Sequence, residues 1–250
     1  MLSSWQRPEG VALEGVVWAR FRGRRAMGDG RVPDFWVQTV RPEDDAQVLR
    51  IMEKHFLREE ETSRALGLAA APDVIAEYRA MWQSLLEQRV SLAAWTGWPD
   101  GAPRLVACNV LYVRCKDDPA YEAQTPLSRK IMRALYQLDG EVDVFARHGV
   151  AAYLSAMGLS ALPDFRGQAL GLELLRARRP LCRALRLRVT ATIFTGAASQ
   201  KQAQRAGFST LASLPYARYV DDGELPFASV KGVDAMQLQE MVVPEQDDGR

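Results

Sequence analysis

An apolar stretch from Ala152 to Leu162, broken once at Met157-Gly158, runs through Pro163-Asp164 into Arg166-Gly167-Gln168-Ala169-Leu170-Gly171. Beyond it Leu172, Leu174, Leu175, Ala177 and Leu181 recur at helical spacing. This strand–turn–helix constrains the chain more than any other segment, because a buried strand feeding directly into a helix belongs to an α/β arrangement. The turn also carries chemistry. The first N–H groups of a helix lack intrahelical partners, and the positive end of its dipole adds to them, so the position suits a pyrophosphate. Small residues at 167, 169 and 171 let phosphates approach the backbone, and Arg166 adds charge. Plain strand–helix connections also contain glycine, so the hexapeptide alone leaves a cofactor site and a structural turn equally open.

The flanking pattern agrees with an α/β order. Phe35 to Val40 alternates like a strand. Arg41-Pro42-Glu43-Asp44 then opens a helix bearing Val48, Leu49, Met52 and Phe56. A second helix from Pro72 carries Val74, Tyr78, Met81, Trp82 and Leu85 on one face. Val90–Thr96 and Leu105–Val113 read as a hairpin around the turn Gly97–Gly101. A polar loop over 116–124, a helix over 127–138 and a shorter one over 142–148 precede the central strand. Val189–Phe194 is a strand, Ser199–Ala206 a helix closed by Gly207, and Tyr216–Val220 and Met236–Val243 are the last strand candidates. The expectation is one α/β (α+β) domain over residues 34–243, with a poorly ordered lead-in over 1–33 and a frayed tail over 244–250.

Charge narrows the partners. The formal net charge is +1, from 32 basic and 31 acidic residues, which argues against a nucleic-acid or membrane-surface partner. Arg20, Arg22, Arg24, Arg25 and Arg31 form a local exception, read here as a solvated arm. Three cysteines and two histidines without ligand spacing assemble no metal site. Free thiols, no apolar leader after Met1 and no membrane-length apolar run make a cytoplasmic location the expectation.

Arg166 to Gly171 resembles the acetyl-CoA signature of the GNAT superfamily, Arg/Gln-x-x-Gly-x-Gly/Ala, with Ala169 where glycine usually stands. Leu159 to Phe165 is similar to that family's fourth strand. His55–Glu61, Ser91–Ala94, Phe194–Gln200, Gly207-Phe208 and Tyr216–Tyr219 look like the insect-type arylalkylamine (dopamine-type) N-acetyltransferases. The resemblance spans about residues 35–243. It implies a mixed central sheet flanked by helices and splayed between its fourth and fifth strands. It also implies an acyl-CoA donor whose pantetheine pairs with Leu159, Ser160 and Ala161, and whose phosphates meet Arg166, Gly167, Gln168, Ala169, Leu170, Gly171 and Leu172.

An alkylamine is protonated at neutral pH, so acetyl transfer needs a general base. The resemblance puts that base at Glu60, between Glu59 and Glu61, and puts assisting hydroxyls at Thr195 and Ser199. Read without it, the three glutamates are a solvated face and the hydroxyls are helix caps. A histidine often found at the latter junction is replaced by Ala197 and Ala198. Phe56, Trp82 and Tyr112 are candidates for the acceptor pocket. The expected activity is acetyl-CoA-dependent N-acetylation of a small arylalkylamine by a monomer without metal. A polyamine or agmatine-like acceptor, or an inactive acyl-CoA-binding module, are the alternatives.

Overall fold

Along Asp34–Thr39 (β2) Phe35, Val37 and Thr39 are buried while Trp36 and Gln38 are only partly so, the two-residue period of a strand. The structure is a computed structural model and describes residues 3–97 and 101–244; residues 98–100 of the expected hairpin turn and 245–250 of the expected tail lie outside it. Its other strands are Val17–Arg22 (β1), Leu92–Gly97 (β3), Pro103–Cys115 (β4), Ala152–Ala161 (β5), Val189–Phe194 (β6), Ser209–Pro215 (β7) and Ala235–Val242 (β8). They form one mixed sheet in the order β1-β2-β3-β4-β5-β6-β8-β7. Every neighbouring pair is antiparallel except β5 and β6, which are parallel.

Helices cover both faces. On one lie Asp45–Ile51 (α1), Leu57–Glu59 (α2), Glu61–Ala65 (α3), Pro72–Leu86 (α4), Pro126–Asp139 (α5) and Val144–His148 (α6). α4 seats Val74, Tyr78, Met81, Trp82, Leu85 and Leu86 against Ala93, Trp95, Cys108 and Val110. Burying each such leucine contributes roughly 1.5–3 kcal/mol. On the other face Leu170–Ala184 (α7) packs Leu170, Leu174, Ala177 and Leu181 over Leu92, Ala94, Val106 and Leu111. Ala197–Ala206 (α8) meets α7 through a smaller cluster that includes Leu175, Phe194, Ala203 and Phe208.

Two expectations give way. The lead-in over 1–33 contains β1, an edge strand: Trp18 Nε1 donates to Thr39 Oγ1 at 3.0 Å and Phe21 stacks on Phe35 with centroids 5.3 Å apart. Its arginines masked the apolar residues Val17, Trp18, Ala19 and Phe21, yet charged side chains suit an edge that must not pair with another chain. The penultimate strand is Ser209–Pro215, and Tyr216–Arg218 is a single 3-10 turn. Tyr216 and Tyr219 leave the sheet to pack on Phe227, with centroids 5.7 and 5.5 Å away.

Candidate active site

β5 and β6 share one paired position, Leu154 with Thr190, and diverge beyond it. The divergence begins at an irregularity in β5. Its register against β4 shifts between Asn109 and Leu111, and Gly158 there has φ +114. That backbone conformation requires glycine, and a Cβ there would also crowd Met52 Cε and the Phe56 ring. The carbonyls at the irregularity are held: Trp82 Nε1 donates to Met157 O at 2.9 Å and Asn109 Nδ2 to Gly158 O at 2.8 Å. Trp82, a candidate for the acceptor pocket, is instead buried and supports this bulge. The segment from Ser155 to Ala161 therefore offers an edge facing the gap, where Leu159, Ser160 and Ala161 line a cavity of about 980 Å³.

At the far end of that edge lies the signature turn. Arg166, Gly167, Ala169, Leu170, Gly171 and Leu172 line the same cavity. Ala169, at the start of α7, is left-handed (φ 69, ψ 12) and provides no side-chain cap. This is the conformation glycine adopts without cost in the family signature, so alanine here carries strain as well as a methyl group. The first-turn N–H groups of α7 thus have neither intrahelical nor side-chain partners. Arg166 forms an ion pair with Glu59, and its guanidinium donates to Ala161 O at 3.3 Å. Gln168 departs from expectation: its side chain is buried beneath the turn and does not line this cavity.

Glu60 sits where α2 ends and α3 begins, with extended backbone (φ −64, ψ 136). That break parts its side chain from those of Glu59 and Glu61, which pair with Arg166 and Arg64 respectively. One Glu60 oxygen accepts from Thr62 N at 3.0 Å and from Thr195 Oγ1 at 2.6 Å. The other accepts from Thr62 Oγ1 at 2.8 Å, Ser63 N at 2.7 Å and Ser63 Oγ at 2.6 Å. Glu60 is both a helix cap and the partner of a hydroxyl from β6's end, and all these residues line the cavity. Ser199 is turned elsewhere, donating to Gly196 O at 2.8 Å within its own helix. Neither hydroxyl caps α8, whose N-cap Gly196 has no side-chain bond. Two phenols flank this carboxylate. Burial, and then the charge of Glu60, raise the pKa of both Tyr78 and Tyr216, so both stay protonated; Tyr216 Oη donates to Thr195 O at 2.6 Å.

Of the acceptor-pocket candidates Phe56 and Tyr112 line the cavity, and the rest of its walls were not legible as a site in the sequence. Tyr78, Tyr112, Tyr121, Tyr136 and Tyr153 line the cavity with Phe56, and Ile131, Met132 and Leu135 of α5 roof it. Glu77 on α4 anchors that roof, accepting from Thr125 Oγ1 at 2.6 Å and Tyr121 Oη at 2.9 Å. Beneath the divergence Arg178 is completely buried. It donates to Asn109 Oδ1 at 2.8 and 3.0 Å and to Thr192 Oγ1 at 2.7 Å, and burial pushes its pKa down to about 9. Among the described residues no group of three or more His, Cys, Asp and Glu is placed to hold a metal, and no helix is long and apolar enough to cross a membrane.

No protein-family model and no curated protein matches the chain. Solved structures do. A yellow fever mosquito (Aedes aegypti) protein named as arylalkylamine N-acetyltransferase 7 superposes with TM-score 0.87 at 29% identity, over 96% of this chain and 100% of that one. Arylalkylamine N-acetyltransferase 2 of the same mosquito gives TM-score 0.74 at 21% identity, over 84% and 99%. A Drosophila melanogaster polyamine N-acetyltransferase, which forms N-acetylagmatine, gives 0.72 at 21% identity, over 84% and 100%. With β1 added at the edge of the sheet, the fourth and fifth strands that the family resemblance expects to splay are β5 and β6, which pair at one position only. By its sheet, its splayed strands and these likenesses, the chain has the GNAT acetyltransferase fold and is similar to insect arylalkylamine N-acetyltransferases.

Proposed function

We propose that the protein transfers the acetyl group of acetyl-CoA to the primary amine of a small arylalkylamine. The observation that carries this reading is one continuous cavity joining the capless start of α7, the unpaired edge of β5 and the Glu60–Thr195 pair. Backbone donors at the turn would hold the phosphates, and the β5 edge would hydrogen-bond the pantetheine arm as an added strand. Glu60 would take a proton from the ammonium, directly or through water, freeing the nitrogen to attack the thioester carbonyl. As the carbon–sulfur bond breaks, the departing thiolate takes a proton, which the Thr195 hydroxyl would relay from the protonated Glu60.

The acceptor chamber favours an aromatic tail over a second ammonium. Of the carboxylates lining it, Glu59, Glu61 and Asp139 are paired with Arg166, Arg64 and Arg114. Asp118 accepts from Ser3, Ser4 and Cys115. A polyamine's distal cation would find aromatic walls and the Arg114 guanidinium, and lining carboxylates that are already ion-paired or hydrogen-bonded. Thiol release measured against an amine panel tests this. Tyramine- or dopamine-like amines should turn over with at least tenfold higher kcat/KM than spermidine or agmatine. The reverse order would favour the polyamine reading, and CoA binding without any turnover would leave only an acyl-CoA-binding module.

The two hydroxyls make separate predictions. Thr195→Ala should lower turnover at least tenfold with the melting temperature nearly unchanged, since Thr195 caps no helix. Ser199→Ala should have a smaller effect, because its bond is internal to α8. A loss of about 1 kcal/mol in stability with turnover kept, in either variant, would return that residue to a structural role.

A further inference from the structure

The arginine-rich segment after β1 is part of the site's architecture. Gln168, wholly buried under the signature turn, clasps its backbone: Oε1 accepts from Arg24 N at 2.7 Å and Arg25 N at 3.1 Å, while Nε2 donates to Arg25 O at 2.8 Å. Gly23 makes the close approach possible, since a Cβ there would lie 2.6 Å from Gln168 Oε1. The clasp sets two guanidinium groups beside the turn. Arg25 donates to Arg166 O, and its guanidinium occupies the space over Gly167, 1.9 Å from where a Cβ would stand. Arg24 lines the main cavity with Arg166 and Gly167, and its side chain has no hydrogen-bond or ion-pair partner among the described residues.

Charge at this corner is unbalanced. Arg24, Arg25 and Arg166 face two carboxylates: Glu59, which Arg166 occupies, and Asp164, which shares a hollow with Arg25 without an ion pair to it. Exposed cations held in place beside unpaired backbone donors are an arrangement that a polyanion completes.

We propose that Arg24 and Arg25 bind the phosphates of the acyl donor, so that the segment preceding β2 closes the cofactor site from outside the signature. The inference rests on the acyl-CoA reading above. It assigns a binding role to the arm that its composition had marked as merely solvated, and it gives the Gln168 side chain the task of positioning that arm.

Calorimetry on the full chain with CoA tests it. Arg24→Ala removes no internal contact, so the fold is retained; it should weaken CoA roughly tenfold and raise the KM for acetyl-CoA in step. Arg25→Ala should do likewise, and both variants should show a shallower loss of affinity with salt than the wild type. Arg20→Ala, on the exposed edge of β1, should bind as the wild type does. Repeating the titrations with 3′-dephospho-CoA locates the partner: a difference that persists assigns the arginines to the pyrophosphate, and one that vanishes assigns them to the 3′-phosphate. Unchanged CoA affinity in both Arg24→Ala and Arg25→Ala, with a wild type that binds, overturns this inference alone. A wild type that binds no CoA overturns the acyl-CoA reading with it.

Discussion

Replacing Glu60 by glutamine should lower turnover by about 10²- to 10⁴-fold, the contribution expected of a general base. The affinity for acetyl-CoA should remain nearly unchanged, because none of the carboxylate's five hydrogen bonds comes from the signature turn. Stability will move as well. Both Glu60 oxygens accept from donors at 2.6–3.0 Å, so an amide nitrogen in place of either would face N–H or O–H groups. A buried donor left unmatched costs about 1–3 kcal/mol, which thermal melting will register separately from rate. Hydroxyls supply three of the five bonds and can rotate, which is how a fully bonded carboxylate remains able to accept a proton. Glu59→Ala and Glu61→Ala are the controls and should keep most of their turnover, since both side chains point to arginines at the surface. If all three variants turn over at the wild-type rate, the base lies elsewhere.

Gly167→Glu should abolish measurable acetyl-CoA binding, weakening it by two orders of magnitude or more. Like charges set against each other in a binding site cost several kcal/mol, and this carboxylate would stand beside the donors meant for phosphate. Two structural costs add to it. Gly167 has φ +77, where a side chain is strained by roughly 1–2 kcal/mol, and its Cβ would displace the Arg25 guanidinium. Gly167→Ala carries the strain without the charge and separates the two contributions. Calorimetric affinity for acetyl-CoA that matches the wild type in the glutamate variant would remove the phosphates from this turn.

The strand–turn–helix around Arg166, the hairpin of β3 and β4, and the helices that pack Val48, Leu49 and Trp82 were readable because their apolar periods are local and strong. Gly158 was visible only as an interruption. Its neighbours in space, Met52 and Phe56, lie a hundred residues away, so nothing local announces that the interruption starts the divergence of β5 from β6. β1 escaped notice for the opposite reason: an edge strand buries little, and its arginines outweigh Trp18 and Phe21 in any local reading.

The sequence by itself determined that a small-residue turn opens α7 at Gly167–Gly171, that an acidic triplet follows the first helical stretch, and that hydroxyls stand at Thr195 and Ser199, because each is a matter of residue type and short spacing. Tertiary structure decided which of these act together. The interruption of the helix between α2 and α3 selects Glu60 from three adjacent glutamates. The end of β6 brings Thr195, and not Ser199, within 2.6 Å of it. Gln168 draws the arm of Arg24 and Arg25 across more than 140 positions of sequence to the phosphate turn. Contacts between such distant residues depend on how the sheet and helices pack, and no local pattern of polarity encodes them.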